Sequence, residues 1–536
     1  MLNLPLKIRK SRFNWFFWFF FYFFVFCLLL RGSSSYLDPD LGWHLKVGQE
    51  IAQTGAVPVA NHFNYTFTGD WVDHEWLSNL IVYEIYNHCG YPSLTVGFAL
   101  LIILVLILLN RAVYRFRPET SPGQIVFFQL LAVIASLPHF GVRVQELGLL
   151  FLLLLFLLLE RYNKYKNWKI LLLLPPFMYL WACLHASFLI GFFIMAAWLA
   201  IKIGEKILVR LRRLDWLDFS RVLAFREMII FSGAIIFSFI VTLFTPYKLG
   251  LYSFLSGYRH TYYQAHIQEW LSQFNFPFQY WQLIYLAIVV FALIFYIYYA
   301  AFSGEKKFKV NLWTFFLVVL FVFLSFKSRR HFPLLFVATF LFLIEVYGTI
   351  FKTATVDKAR LLNGWLKFFL SFCLFLAAFL QLTVVKLTKN PFASYCSNYP
   401  CQAIEFLKNN PSYYSRNIFN DYAWGGYLIW SYSERKLFID GRLPQTIFAG
   451  HTFLEEYLDF FKKGEAKEKL EKYQIGLILI PAKEKKIKIR NWEKVIFGIR
   501  DEDLATVNNL RDYLLSAADW HPIYYDPTAI IYVKNE

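Results

Sequence analysis

Long apolar runs separated by short polar stretches fill the chain up to about residue 386. The runs lie near 13–30, 93–110, 124–138, 147–160, 170–184, 188–203, 228–245, 282–301, 311–326, 332–350 and 364–386. About 20 apolar residues in a helix cross a bilayer core. The pattern therefore predicts a mainly α, polytopic membrane bundle of about eleven spans. The first run, Phe13 to Leu30, is too long and too aromatic for a cleaved signal peptide and reads as a retained anchor. Residues 76–90 mix apolar and polar positions and predict an interfacial helix. No internal repeat breaks this pattern.

After residue 387 the pattern changes to that of a soluble domain. Asn420 to Tyr427 reads as a turn leading into an apolar segment, and Lys436 to Ile439 as a short strand ending at Asp440-Gly441. Phe453 to Lys472 has helical spacing. Ile475 to Ile480 reads as a buried strand stopped by Pro481, and Pro522 to Val533 as a hairpin broken at Asp526-Pro527. The expected organisation is a transmembrane domain, 1–386, and a C-terminal α/β domain, 387–536.

Charge gives this arrangement a direction. The net charge is +17, and the basic residues gather in short segments between runs: Lys7 to Arg12, Arg111 to Arg117, Arg161 to Lys169, Lys206 to Arg213, Lys306 to Lys309 and Lys352 to Arg360. Excess Lys and Arg in short loops marks the cytoplasmic side. The N-terminus is then cytoplasmic, and the C-terminal domain and the long loops 31–92 and 246–281 lie outside. No basic face on a soluble scaffold appears, so nucleic acid is not an expected partner. Cys396 and Cys401 follow the last run and are placed for a disulfide, which suits an oxidising compartment.

Carboxylates beside a hydrocarbon core are costly and signal function. The 31–92 loop holds two such groups, Leu37-Asp38-Pro39-Asp40-Leu41-Gly42-Trp43-His44 and Trp71-Val72-Asp73-His74-Glu75-Trp76. Asp38 and Asp40 flank a proline, and alternation in an extended segment points both carboxylates one way. One can act as a general base while the other orients a substrate or cation. The plainer reading makes Asp40 an N-cap for a helix starting at Leu41. Asp40, His74 and Glu75 offer ligands for a divalent cation, but carboxylate plus imidazole identifies no metal. His-Glu-x-x-His is absent, so zinc-peptidase chemistry has no support. Arg143, Lys327, Arg329 and Arg330 sit on the predicted outer side, against the usual preference. A lipid phosphate there accounts for them; the plainer account is snorkelling to headgroups. His185 closes a span and reads first as an interfacial histidine. Asn64-Tyr65-Thr66 matches a glycan-acceptor sequon, a pattern common by chance.

Together these motifs resemble the first outer loop of bacterial multi-pass proteins of the GT-C glycosyltransferase superfamily. Trp181 to Phe188, Thr245 to Gly250, Glu269-Trp270, Asn420 to Trp430 and Phe438 to Arg442 resemble further segments in order. Cys183, Ala186 and Thr245 depart from the expected Asn, Gly and Asn, and Gly42 stands where an aromatic is common. The resemblance implies an inverting hexosyl or pentosyl transfer from a polyprenyl-phosphate-linked donor. The acceptor would be a glycan, lipid or protein on the outer face of a bacterial plasma membrane. Asp40, with Asp38 as the alternative, is the expected base. Trp43 and His44 would pack a sugar ring and hold the carboxylate. His74 and Glu269 would position the acceptor or a divalent ion, while Arg143, Lys327, Arg329 and Arg330 stabilise the leaving phosphate. Rival readings are a transporter or flippase for a lipid-linked or anionic solute, and an oligosaccharide polymerase or ligase of another membrane fold.

Overall fold

The computed structural model describes residues 4–209, 216–259, 262–302, 309–352, 364–448, 450–483, 489–498, 500 and 508–535. The basic residues Lys306, Lys307, Lys358 and Arg360, and His260 in the second long loop, lie outside the described residues.

Among the described residues, fourteen α-helices make up the first part: α1 (Leu4–Ser33), α2 (Leu41–Thr54), α3 (Trp76–Phe116), α4 (Pro122–Ser136), α5 (Gln145–Tyr165), α6 (Leu174–Leu184), α7 (Phe188–Leu208), α8 (Phe225–Thr242), α9 (Leu249–Ser256), α10 (Tyr262–His266), α11 (Tyr280–Phe302), α12 (Leu312–Lys327), α13 (Phe332–Lys352) and α14 (Gly364–Leu382). Each of the eleven apolar runs is helical. Among the described residues, seven helices are long and apolar enough to cross a membrane, and three shorter apolar helices accompany them. Local chemistry sets several starts. Ser121 caps α4 with Pro122 in its first turn, and the Asn311 side chain accepts from Thr314 N–H at the start of α12. The stretch 76–90 is continuous with the next span as α3, broken only at Gly90, whose φ of 76° precedes Pro92. A glycine carries that left-handed kink without steric cost.

The C-terminal part contains α15 (Pro391–Ser394), α16 (Cys401–Asn409), β1 (Asn417–Asn420), α17 (Gly425–Ser431), β2 (Ile447–Phe448), β3 (His451–Thr452), α18 (Phe453–Asp459), α19 (Ala466–Lys472), β4 (Ile475–Pro481), α20 (Asn491–Phe497), α21 (Asn509–Ser516), β5 (Trp520–Tyr525) and β6 (Ala529–Lys534). Its sheet has order β1-β4-β6-β5, with β1 parallel to β4 and the other pairs antiparallel. The expected strand after Ile475 and the closing hairpin are both present. The segment Lys436–Ile439 is not a sheet strand. Leu437 instead makes a single parallel bridge to Asn64. The predicted helix 453–472 is two short helices, parted near Gly464 with its φ of 85°. Cys396 and Cys401 are joined as a disulfide.

Two hydrophobic cores result. One fills the helix bundle. The other joins the α/β region to the 31–92 loop: Trp43, Phe63, Trp71 and Leu94 pack in one cluster with Ile418, Phe438, Ile478 and Ile531. Asn64 is fully buried in this junction and donates nothing to solvent, so the folded chain does not present it as a glycan acceptor.

At the junction α17 crosses α2 with almost no space between backbones. A Cβ on Gly42 would overlap the Gly426 carbonyl, and one on Gly426 would overlap the Pro39 carbonyl. This is why Gly42 cannot be the aromatic that the resemblance led us to expect. Gly42→Ala is expected to lose more than it gains. Helix propensity favours alanine by about 1 kcal/mol, while forcing a carbonyl aside costs about 1–3 kcal/mol. A lowered midpoint of thermal unfolding and faster proteolysis of the C-terminal part check this.

Candidate active site

Asp38 and Asp40 sit between α1 and α2 and have different partners. Asp38 Oδ1 accepts from the Asp40 backbone N–H at 2.8 Å, and its Oδ2 pairs with Arg143 Nε at 2.6 Å. Asp40 occupies the N-cap position of α2, yet its side chain accepts no capping bond. It accepts instead from Trp43 Nε1 at 3.0 Å. The cap is therefore not what this carboxylate is for. Burial first, and then the neighbouring Asp38 charge, push the Asp40 carboxyl up to about 7, while the Trp43 hydrogen bond pulls the other way.

A chain of ion pairs leads across the site. Arg143 also pairs with Glu269 at 3.2 Å, and Glu269 pairs with Arg330. Burial raises the Glu269 carboxyl, but Arg330 and Arg143 outweigh it and hold the group below its ordinary range. The Arg330 guanidinium lies 4.6 Å above the Trp270 ring, and Arg143 lies 5.7 Å from the Tyr36 ring. Arg329 is different. It is buried, its guanidinium donates to the Asn275 carbonyl, and among the described residues its Nε and Nη1 have no partner. Among the described residues it is the arginine of this group without a carboxylate.

The second acidic motif stands opposite. Glu75 lies 3.3 Å from His74 Nε2 and 3.9 Å from His185 Nε2. Burial, then the Asp73 and Asp40 charges, raise its carboxyl well above the ordinary value. Burial likewise lowers His74 and His44 to about 4, and lowers His185, whose Nδ1 accepts from Ser187 N–H at 3.0 Å. These imidazoles are therefore neutral. His44 Nδ1 is 2.5 Å from Asn79 Oδ1, and Asn79 donates to Asp73 at 2.8 Å. Asp73 rises to about 7, chiefly through burial.

One cavity of about 780 Å³ collects Asp38, Asp40, His44, Glu75, Arg143, His185, Glu269, Arg329 and Arg330. Three expected residues stand elsewhere. Trp43 is buried behind Asp40 and touches it rather than the cavity, so it holds the carboxylate and does not pack a sugar. His74 backs Glu75 and packs 5.6 Å from Phe254. Lys327 is exposed at the end of α12 and lines neither cavity. The chain turns at extended Ser328, and the Arg329 N–H bonds Leu271 O at 3.0 Å, which sends the two arginines inward without the lysine. Asp40, His74 and Glu75 are not gathered as one ion's ligands. The one His/Asp/Glu trio within 4.8 Å among the described residues is His451, Glu456 and Asp459, and Lys469 already pairs with both of its carboxylates.

The structure adds residues that the sequence motifs did not assign to the site. Tyr422, Gly441 and Tyr457 bring the C-terminal part over the cavity. His139 lies between this cavity and a second one of about 310 Å³, which is walled by Leu149, Leu189, Ile190, Leu255 and Leu334. His139, Gln145, His185 and Arg330 line both. A charged chamber thus adjoins a greasy one, with Arg330 at the shared wall.

The fold can be placed against solved structures. The oligosaccharyltransferase of Archaeoglobus fulgidus, solved with a tethered acceptor peptide, aligns with a TM-score of 0.50 at 10% identity over 86% of this chain and 68% of that one. AglB from the same organism, in complex with an inhibitory peptide and a dolichol-phosphate, aligns at 0.50 and 10% over 88% and 70%. The fold is of the GT-C type. No protein-family model matches the chain, and no curated protein matches it either. The GT-C architecture, an apolar multi-pass bundle followed by an α/β part, is therefore carried here by a sequence far from those neighbours.

Proposed function

We propose that the chain is an inverting membrane glycosyltransferase that moves a hexosyl or pentosyl group from a polyprenyl-phosphate-type lipid to an acceptor on the outer face of a bacterial plasma membrane. The observation that carries this reading is the juxtaposition of Asp40, which makes no ion pair among the described residues, with three arginines in a chamber that shares a wall with an apolar one. Asp40 takes the proton of the acceptor nucleophile, whose freed electron pair attacks the anomeric carbon. The bond from that carbon to the phosphate oxygen breaks. Arg329, Arg330 and Arg143 receive the charge on the departing lipid phosphate. The apolar chamber suits the lipid chain. Asp38 and Glu269 already answer Arg143 and Arg330, so Arg329 is left to answer one phosphodiester charge rather than a diphosphate.

The Archaeoglobus neighbours support a lipid-phosphate partner and an acceptor that can be a peptide, because one is in complex with a dolichol-phosphate and another is tethered to an acceptor peptide. The Cys396–Cys401 disulfide supports a non-cytosolic C-terminal part. A cytoplasmic N-terminus follows from the basic loops. The transporter reading makes no use of a carboxylate opposite the arginines, and the polymerase or ligase reading called for a membrane fold other than the one observed.

Purified chain given radiolabelled polyprenyl-phosphate sugars and membrane extract, with and without chelator, tests the proposal. Label transferred equally by wild type and by an Asp38→Asn/Asp40→Asn double variant would assign the activity to a contaminant.

The pH profile gives a sharper expectation. A general base works only as the carboxylate, so transfer should fall as pH drops through about 7, where Asp40 takes up its proton. Trp43→Phe removes a hydrogen bond that favours the ionised form, so the acidic limb should move to higher pH. Asp38→Asn removes a repelling charge and releases Arg143, so the limb should move lower. Stopped-time assays across pH 5–9 (a range chosen as about two units either side of neutrality) read both shifts. Limbs moving the same way in the two variants would remove Asp40 as the titrating group.

A further inference from the structure

Helix α20 in the C-terminal part carries an apolar face that the described residues leave uncovered. Val495 is 82% exposed and Ile496 67% exposed, and Trp492 lies on the same side one turn earlier. Soluble surfaces rarely gather large apolar side chains on so short an element. The helix is also pinned in place. Tyr280 OH donates to Glu493, the Trp492 ring lies 5.5 Å from Tyr280, and the Phe497 ring lies 4.7 Å from Phe278. Tyr280 opens α11 and Phe278 lies two residues before it; α11 is one of the helices long and apolar enough to cross a membrane. The outward side chains of its first turn, Trp281 and Ile284, are 53% and 45% exposed and belong to its lipid-facing side. The uncovered face of α20 therefore continues the apolar belt of a span at the level where that span begins.

We infer that α20 rests in the headgroup layer of the bilayer and anchors the C-terminal part to the membrane surface at the mouth of the α11 helix. The composition fits that occupant. Lys483 and Arg490, on either side of the segment before the helix, are both exposed. Basic residues beside an apolar face attract anionic lipid, and tryptophan favours this interface. The inference rests on the membrane spans and not on the transferase reading, so either can fail alone.

The test uses the full chain in nanodiscs, with the exposed Cys89 and Cys373 replaced by serine and a spin label on Val495→Cys. Collision with lipid-soluble oxygen and with a water-soluble nickel chelate is measured in phosphatidylcholine and in phosphatidylcholine containing phosphatidylglycerol. Oxygen collisions dominating in both bilayers, or only in the anionic one, support the anchor; the second result assigns the docking to charge. A label open to nickel in both bilayers would overturn it. So would a label shielded from both reagents with label–label broadening, which would mean a second copy covers the face. Adding Trp492→Ser and Ile496→Asp should move the label into water while leaving chain yield and oligomeric state unchanged.

Discussion

Asp40→Asn is expected to lower sugar transfer by about 10²–10⁴-fold, the usual contribution of a general base, while the chain still inserts and folds. The substitution keeps shape and the hydrogen bond from Trp43 Nε1, because the amide oxygen can accept it as the carboxylate does. It removes only the basic lone pair. The same change at Asp38 should act less severely on the chemistry, for Asp38 is already committed to the Asp40 backbone N–H and to Arg143. Its loss loosens Arg143 and moves the pH profile, as argued above, but leaves the proton acceptor in place. Turnover of labelled donor by the two single variants, each checked for intact size-exclusion behaviour, separates the roles. Full activity in Asp40→Asn would move the base to another group, and the next candidate in the chamber would be Glu75.

Much of the bundle could be read directly, because a membrane span is a local property. About 20 apolar residues need no distant partner to satisfy their backbone, so each run is helical where its composition places it. The acidic motifs were legible for a related reason, since a carboxylate beside a hydrocarbon run stands out whatever the fold. What was not legible depends on contacts between distant segments. Lys436–Ile439 has strand composition, but its partner is Asn64 in a loop of the first part, so it forms one bridge and no sheet strand. Tyr422 and Tyr457 reach the cavity only because α17 settles against α2 through Gly42 and Gly426. Lys327, Arg329 and Arg330 look alike as a run of charge. A single extended residue, Ser328, decides which of them face the chamber. The junction also blurs the expected boundary at residue 387 in energetic terms, since Phe63 and Trp71 share a core with Phe438 and Ile478.

A buried ion pair helps to fasten that junction, and its removal is the other large effect expected. Arg442 donates from Nε and Nη2 to the two oxygens of Asp440 at 2.9 and 2.8 Å, and from Nη2 to Asn61 Oδ1 at 3.0 Å. Its guanidinium lies 4.6 Å from the Phe63 ring and 4.5 Å from the Trp71 ring. Asp440 and Arg442 come from the C-terminal part, while Asn61, Phe63 and Trp71 come from the 31–92 loop, so this one side chain binds the two together. Asp440→Ala leaves a buried guanidinium without its counter-charge, which costs about 3–5 kcal/mol. Because Gly441 touches Asp40 through its backbone, the loosened junction should also carry the acidic loop out of register and lower transfer. Removing both charges is milder than removing one: Asp440→Ala/Arg442→Met leaves no stranded ion, and buried pairs replaced by apolar groups are often close to neutral. The double variant should therefore recover most of the thermal midpoint lost in the single one. Its protease resistance between residues 55 and 71 should return with it. A double variant as unstable as Asp440→Ala alone would mean that the asparagine and ring contacts of Arg442, rather than its charge partner, hold the two parts together.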